Sequence, residues 1–273
     1  MQTQNTAAEF RALHHGSGVL LLPNAWDAAS AAIFCRLGAR AIATTSAGLA
    51  WACGFADGDV LPREHLLFAV SEIRRVVGDL PLSVDIEGGY SEDPAAVADL
   101  AERLLDIGVA GVNLEDGARD ASVLARKIEA VVQRCRDDAE DLFVNARTDV
   151  YLRDLASGDE AVRETIARGT RYADAGADGL FVPGLSDPHA MAAIAKGVRL
   201  PLAIFAVPGL PPARDLFASG VRRLSAGESL AALAYGTARE AAEAFLRDGN
   251  SADVLTDRNL EYGPTNALFP AAD

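Results

Sequence analysis

Two short segments place carboxylates where chemistry is expected. PLSVDIEGGY carries Asp85 and Glu87, and AGVNLEDGA carries Glu115 and Asp116. Each pair follows β-branched or small apolar residues and precedes glycine, which is how the C-terminal end of a buried strand reads as it opens into a loop. Carboxylates gathered at one end of a sheet repel each other and resist desolvation unless a cation joins them. The array therefore predicts an oxygen-liganded Mg²⁺ or Mn²⁺. NARTD adds Arg147, whose planar fork suits a carboxylate or phosphate. TTSAGLA adds Ser46 and a turn, Ala47-Gly48-Leu49, whose backbone amides can hold a second anionic oxygen. A cation facing one arginine and such a turn fits a small 2-oxo acid. The metal would chelate a carboxylate oxygen and the keto oxygen and stabilise an enolate. Trp26, in PNAWD, is a candidate stacking surface in the same group.

These residues need a scaffold that brings many strand ends to one face. Eight strands are predicted near 19–22, 40–45, 81–86, 110–115, 142–146, 178–182, 201–206 and 221–225. Alanine-rich helical patterns separate them, as at 95–106 and 160–174. Asp93-Pro94 and Asp187-Pro188 mark helix starts, and glycines such as Gly38, Gly108, Gly176 and Gly220 mark helix ends. Eight strand–helix units in about 250 residues match a (β/α)₈ TIM barrel. An open doubly wound sheet competes, but its glycine-rich fingerprint is missing after the first strand. The barrel is expected to occupy 1–249 as one domain, with 250–273 as a C-terminal tail or arm.

The net charge of −14 argues against nucleic acid and against anionic membrane surfaces. No apolar run approaches a membrane span, and no signal peptide is apparent at the start. Cys35, Cys53 and Cys135 are widely spaced and odd in number, so zinc is not expected and a reducing cytoplasm is. No lysine ends a strand, which counts against a Schiff-base aldolase, and no GxSxG elbow supports acyl-enzyme chemistry.

Over residues 18–245 the chain resembles the isocitrate lyase/phosphoenolpyruvate mutase superfamily. The resemblance rests on six motifs in order: PNAWDAASA, TTSAGLAWACGFAD, VDIEGGY, VNLEDG, NARTD and ADAGADGLFVPG. It implies a (β/α)₈ barrel, often with its last helix swapped between protomers, and a homodimer or homotetramer. It implies that Asp85 binds Mg²⁺ directly, with Asp57, Glu87 and Glu115 holding the metal's waters. Ser46, the amides around Gly48 and Arg147 would clamp the oxo acid, and Arg147, Glu115 and Asp57 are the expected catalytic residues.

The chain departs from the superfamily's lyases after strand 4. The cysteine-bearing gating loop is absent, and Glu115-Asp116-Gly117 runs straight into ARDASVLARKIEA. Arg119 and Asp120 are weak substitute acids there, and Cys53 is expected to pack. The leading expectation is a Mg²⁺-dependent C–C lyase acting on a 2-oxo acid or its aldol-type adduct, poor as an isocitrate or methylisocitrate lyase. The alternatives are a binding protein for oxaloacetate, 2-oxoglutarate or pyruvate, and a P–C bond mutase or hydrolase.

Overall fold

The computed structural model describes residues 6–138 and 140–269. The last four residues of the expected tail, and residues 1–5 of the expected barrel domain, lie outside the described residues. The chain opens with helix α1 (Thr6–Leu13), followed by strands β1 (Leu20–Leu22) and β2 (Asn24–Ala25), helix α2 (Ala28–Arg36), β3 (Ile42–Thr44), α3 (Ser46–Ala52) and α4 (Arg63–Val77). Then come β4 (Leu82–Asp85), α5 (Pro94–Ile107), β5 (Gly111–Glu115), α6 (Ala121–Asp137), β6 (Phe143–Arg147), α7 (Gly158–Ala175), β7 (Gly179–Phe181) and α8 (Pro188–Gly197). The chain ends with β8 (Leu202–Phe205), α9 (Ala213–Ala218), β9 (Val221–Ser225), α10 (Ser229–Asp248) and α11 (Tyr262–Asn266).

The strands run parallel in the order β1-β9-β8-β7-β6-β5-β4-β3-β2. Nine segments make an eight-position (β/α)₈ barrel because the first strand is broken at Pro23, which has no N–H to donate. On one side of the break Leu22 O accepts from Ala226 N at 3.1 Å; on the other, Pro23 O accepts from Ala43 N at 3.2 Å. Asn24 pins the seam. Its side-chain Oδ1 accepts from the amides of Ala226 (2.8 Å) and Gly227 (3.0 Å), and its Nδ2 donates to Thr44 O at 2.8 Å.

Alternation decides what each strand shows to the barrel axis. Val84, Val112, Leu114, Val144 and Ala146 belong to the apolar layer under the helices, packed with Leu66, Val70, Leu100, Leu104 and Val131. Their neighbours Ser83, Asp85, Asn113, Asn145 and Arg147 therefore point inward. The helix signals act as the sequence predicts: Asp93 and Asp187 cap α5 and α8, each with proline in the first turn, and Gly108 and Gly176 end α5 and α7 in the left-handed conformation.

The lower end of the barrel is plugged by α1. Phe10 is fully buried, edge-on to Phe143 at 5.2 Å, and His14 stacks on Phe143 at 4.3 Å. At the other end of the chain α10 behaves differently. Only Ala231 of its twenty residues is buried, while Leu233, Tyr235, Phe245 and Leu246 stay exposed. Among the described residues no helix is long and apolar enough to cross a membrane.

Because Asn24 satisfies three backbone groups across the closing seam, Asn24→Ala should lower the unfolding free energy by about 2–4 kcal/mol. Denaturant unfolding measures this, and a loss under about 1 kcal/mol would show that the seam closes without the side chain.

Candidate active site

The inward residues of the strands end in a cavity of about 350 Å³ at the C-terminal face of the barrel. Its polar wall includes Asn24, Ser46, Asp57, Asp85, Asn113 and Arg147. Its apolar wall is Trp51, Leu152, Phe181, Pro183 and Phe205. TIM barrels place their ligands at this face because every strand delivers its last side chains there.

Asp85 and Arg147 line the same cavity. Asp85 is buried; its amide donates to Thr44 Oγ1 at 3.0 Å, and its Oδ1 accepts from Glu87 N at 3.1 Å. Arg147 is held from two sides. Its Nε and Nη2 donate to the two oxygens of Asp149 at 2.7 and 3.2 Å. Its Nη1 lies 2.6 Å from Glu115 Oε2, off the line a hydrogen bond needs, so that oxygen is left without a hydrogen-bond partner. Glu115 and Arg147 face each other directly in the β5–β6 register.

Glu87 sits at positive φ, 50°, in the turn after β4. Its Oε1 accepts from the Tyr90 hydroxyl at 2.8 Å, and its Oε2 takes the Asp59 amide. Asp59 holds the same turn through Gly88 N and Tyr90 N. Buried Lys127 of α6 donates to Gly88 O at 2.8 Å and completes the support. Asp57 is exposed at the rim.

Asp116 does not join the acidic array. One residue past Glu115 it takes the opposite parity and points away from the cavity. Asp149 N (3.0 Å), Arg168 Nη1 (2.9 Å) and the Tyr172 hydroxyl (2.6 Å) all donate to it. The segment after it is equally committed: Arg119 pairs with Glu92 at 2.6 Å, and Asp120 caps α6. Neither lines the cavity. Cys53 ends α3 and packs partly buried against the core.

The expected anion-holding turn is the first turn of α3. Thr45, in extended conformation, caps that helix. Gly48 N donates to Thr45 Oγ1 at 3.4 Å and Leu49 N to Thr45 O at 3.0 Å, so both amides serve the helix. Ser46 and Ala47 line the cavity; Gly48 and Leu49 are buried behind it. A Cβ on Gly48 would meet Trp26 Cβ at 2.7 Å, which is why glycine stands there. Trp26 packs against Phe34 and Tyr235 outside the cavity, and Trp51 takes the place at the wall. Sequence reading missed Trp51 because it lies beyond the strand end, within α3.

Among the described residues no three His, Cys, Asp or Glu side chains converge closely enough to hold a metal ion together. The donors nevertheless suit a hard divalent cation bound through Asp85, with waters reaching the other acids. Asp85, Glu87 and Glu115 are all shielded from water, Asp85 alone of the three lines the cavity, and Arg147 is already shared with Asp149. Burial raises the carboxyl of Asp85, with Arg147 pulling the other way. Burial also pushes Glu87 up to about 7, against the hydrogen bonds from Asp59 and Tyr90. Glu115 rises to about 8, burial and neighbouring acids outweighing Arg147.

These shifts set a pH dependence. A carboxyl raised in the folded state binds protons there that the unfolded chain releases, so stability falls as pH rises from about 4.5 through the folded values near 7 and 8. Without metal, the melting temperature should drop between pH 5 and 8. Added Mg²⁺ should raise it more at pH 8 than at pH 5, because the ligands must be deprotonated to bind. Calorimetry across this range on the wild type and Glu115→Gln checks both trends; an equal pH slope in the variant would remove Glu115 as a source.

The sequence matches the phosphoenolpyruvate phosphomutase family over residues 10–246. An uncharacterized protein of Mycobacterium tuberculosis is 40% identical over 80% of this chain and 81% of its own length. A structure from Burkholderia cenocepacia J2315, provisionally described as a lyase/mutase, superposes with a TM-score of 0.87 at 32% identity, over 99% of this chain and 98% of that one. An oxaloacetate acetylhydrolase in complex with the product oxalate gives a TM-score of 0.84 at 25% identity, over 97% and 93%. By family match, relatives and fold alike, the chain belongs to the phosphoenolpyruvate phosphomutase family of the isocitrate lyase/phosphoenolpyruvate mutase superfamily.

Proposed function

We propose that the protein is a divalent-cation-dependent lyase that cleaves a C–C bond in a 2-oxo acid or its aldol-type adduct. The observation that carries this reading is Arg147 and Asp85 on one cavity, among carboxylates that no other basic lining residue neutralises. The family's lyases and mutases, and a neighbour that holds oxalate, support the substrate class.

Two of the five N–H groups of Arg147 are spent on Asp149. The Nη1 side remains for an incoming carboxylate, with the Ser46 hydroxyl on the same cavity as a second donor. Glu115 stands beside that side, and burial raises its carboxyl to about 8 in the cation-free site. That shift lessens its repulsion of a carboxylate and suits it to pass a proton to a carbanion. A divalent cation bound at Asp85 would neutralise charge developing on the 2-oxo oxygen. Glu87 and Asp57 are assigned to waters around that cation.

The pinned segment after Glu115 supports slow turnover of isocitrate and methylisocitrate, since a positioned acid typically contributes about 10²–10⁴-fold. The same pinning favours a second reading, a 2-oxo-acid binding protein with little turnover. The exposed apolar residues of α10 support assembly as a homodimer or homotetramer.

Asp85→Ala should abolish Mg²⁺-dependent binding of 2-oxo acids while the apo fold stays intact, as calorimetric titration and circular dichroism will report. Retained Mg²⁺-dependent affinity would place the metal elsewhere. In the same titration Arg147→Lys, which keeps charge but loses the fork, should weaken binding by about 1–3 kcal/mol. Unchanged affinity would leave Arg147 as a structural ion pair.

A further inference from the structure

We infer that the preferred substrate carries one anionic head and an uncharged, apolar body, so that a monocarboxylic 2-oxo acid with a branched alkyl chain is favoured over a dicarboxylic one. This rests on the reading that the cavity takes a 2-oxo acid at Arg147 and Asp85.

Beside the head-binding residues the wall turns apolar. Phe181 lies with its ring 5.9 Å from the Arg147 guanidinium carbon, and Phe205 meets Phe181 edge-on at 6.4 Å. Phe205 is itself seated against Gly227, where a Cβ would come within 2.9 Å of its ring. Pro183 and Leu152 continue the surface outward. A second carboxylate placed there would need a cationic or N–H partner. Among the described residues Arg147 is the only basic side chain lining the cavity. The next arginine along the chain, Arg153, is bound to Asp149 Oδ2 at 2.9 Å. The Asn24 amide is spent on Thr44 O and two backbone amides, and Asn113 lies beside Asp85 in the β4–β5 register, at the head-binding end. The remaining charged lining residues, Asp57 and Glu228, are acidic. A distal carboxylate would be desolvated against aromatic rings and like charges, which disfavours it strongly. An alkyl group at the same place gains about a factor of four in affinity per buried methylene.

The test compares near-isosteric ligands. Oxaloacetate and 4-methyl-2-oxopentanoate share the oxo-acid head and the next methylene; a carboxylate in one replaces an isopropyl group in the other. Isothermal titration of the Mg²⁺-loaded protein should give at least tenfold tighter binding for 4-methyl-2-oxopentanoate. Equal or tighter binding of oxaloacetate would overturn the inference. Leu152 is 44% exposed, so Leu152→Lys should fold normally while adding the missing cation. It should narrow or reverse the preference by about tenfold, and an unchanged ratio would also count against the assignment of this wall. Absence of Mg²⁺-dependent binding for both ligands, and for pyruvate, would instead fail the underlying 2-oxo-acid reading, a result distinct from a preference for oxaloacetate.

Discussion

The interaction on which this protein turns is the crowding of carboxylates around a single guanidinium inside the barrel mouth. Glu115 faces Arg147 across adjacent strands, Asp149 grips the same arginine from the next turn, and Asp85 lines the cavity together with Arg147. Arg153 also binds Asp149 and the buried Arg223 acts on Asp85, yet burial of the remaining ionised carboxyls is still costly. The remaining energy must be met by protonation or by a cation. Burial above all raises Glu87 and Glu115, with neighbouring acids adding to it, and this imbalance makes the site's charge state depend on what is bound.

The surroundings are built to keep that imbalance in place. The turn bearing Glu87 is stitched by Asp59, Tyr90 and Lys127, whose ammonium is buried against the Gly88 carbonyl. Asp116, Arg168 and Tyr172 fix the far side of β5 to α7. Repelling groups would otherwise swing apart; here the backbone beneath each one is tied to an element outside the cavity. Preorganisation of this kind lets a site act on charge without reorganising first.

Much of this was legible in the sequence. The eight strand positions follow from apolar runs bounded by glycine and by Asp-Pro caps, and the place of Asp85 on the cavity follows from where one of those runs ends. Parity separates Glu115 from Asp116: strands alternate, so adjacent residues cannot both face inward, and the two had been grouped as one array. The SAGL segment reads equally as a turn or a helix start, and only the Thr45 cap decides it. Trp26 and Trp51 are two indoles flanking one strand–helix unit; which one reaches the cavity depends on Gly48 letting Trp26 pack closely behind α3. The break at Pro23 was visible as a residue but not as a consequence, because its meaning lies in partners some twenty residues ahead and two hundred further on.

That distance has a bearing on how the chain is made. Asn24 reaches its amide partners at Ala226 and Gly227 across separations of 202 and 203 residues. Chain synthesis proceeds from the N-terminus at about 5–20 residues per second. The first strand must therefore wait on the order of ten seconds or more for the last to emerge. During that interval β1 is an open edge, and the cavity lacks the wall that Ser225, Gly227 and Glu228 supply. Ligand recognition is consequently among the last properties the nascent chain acquires, and contacts this remote in sequence are those expected to slow its final closure.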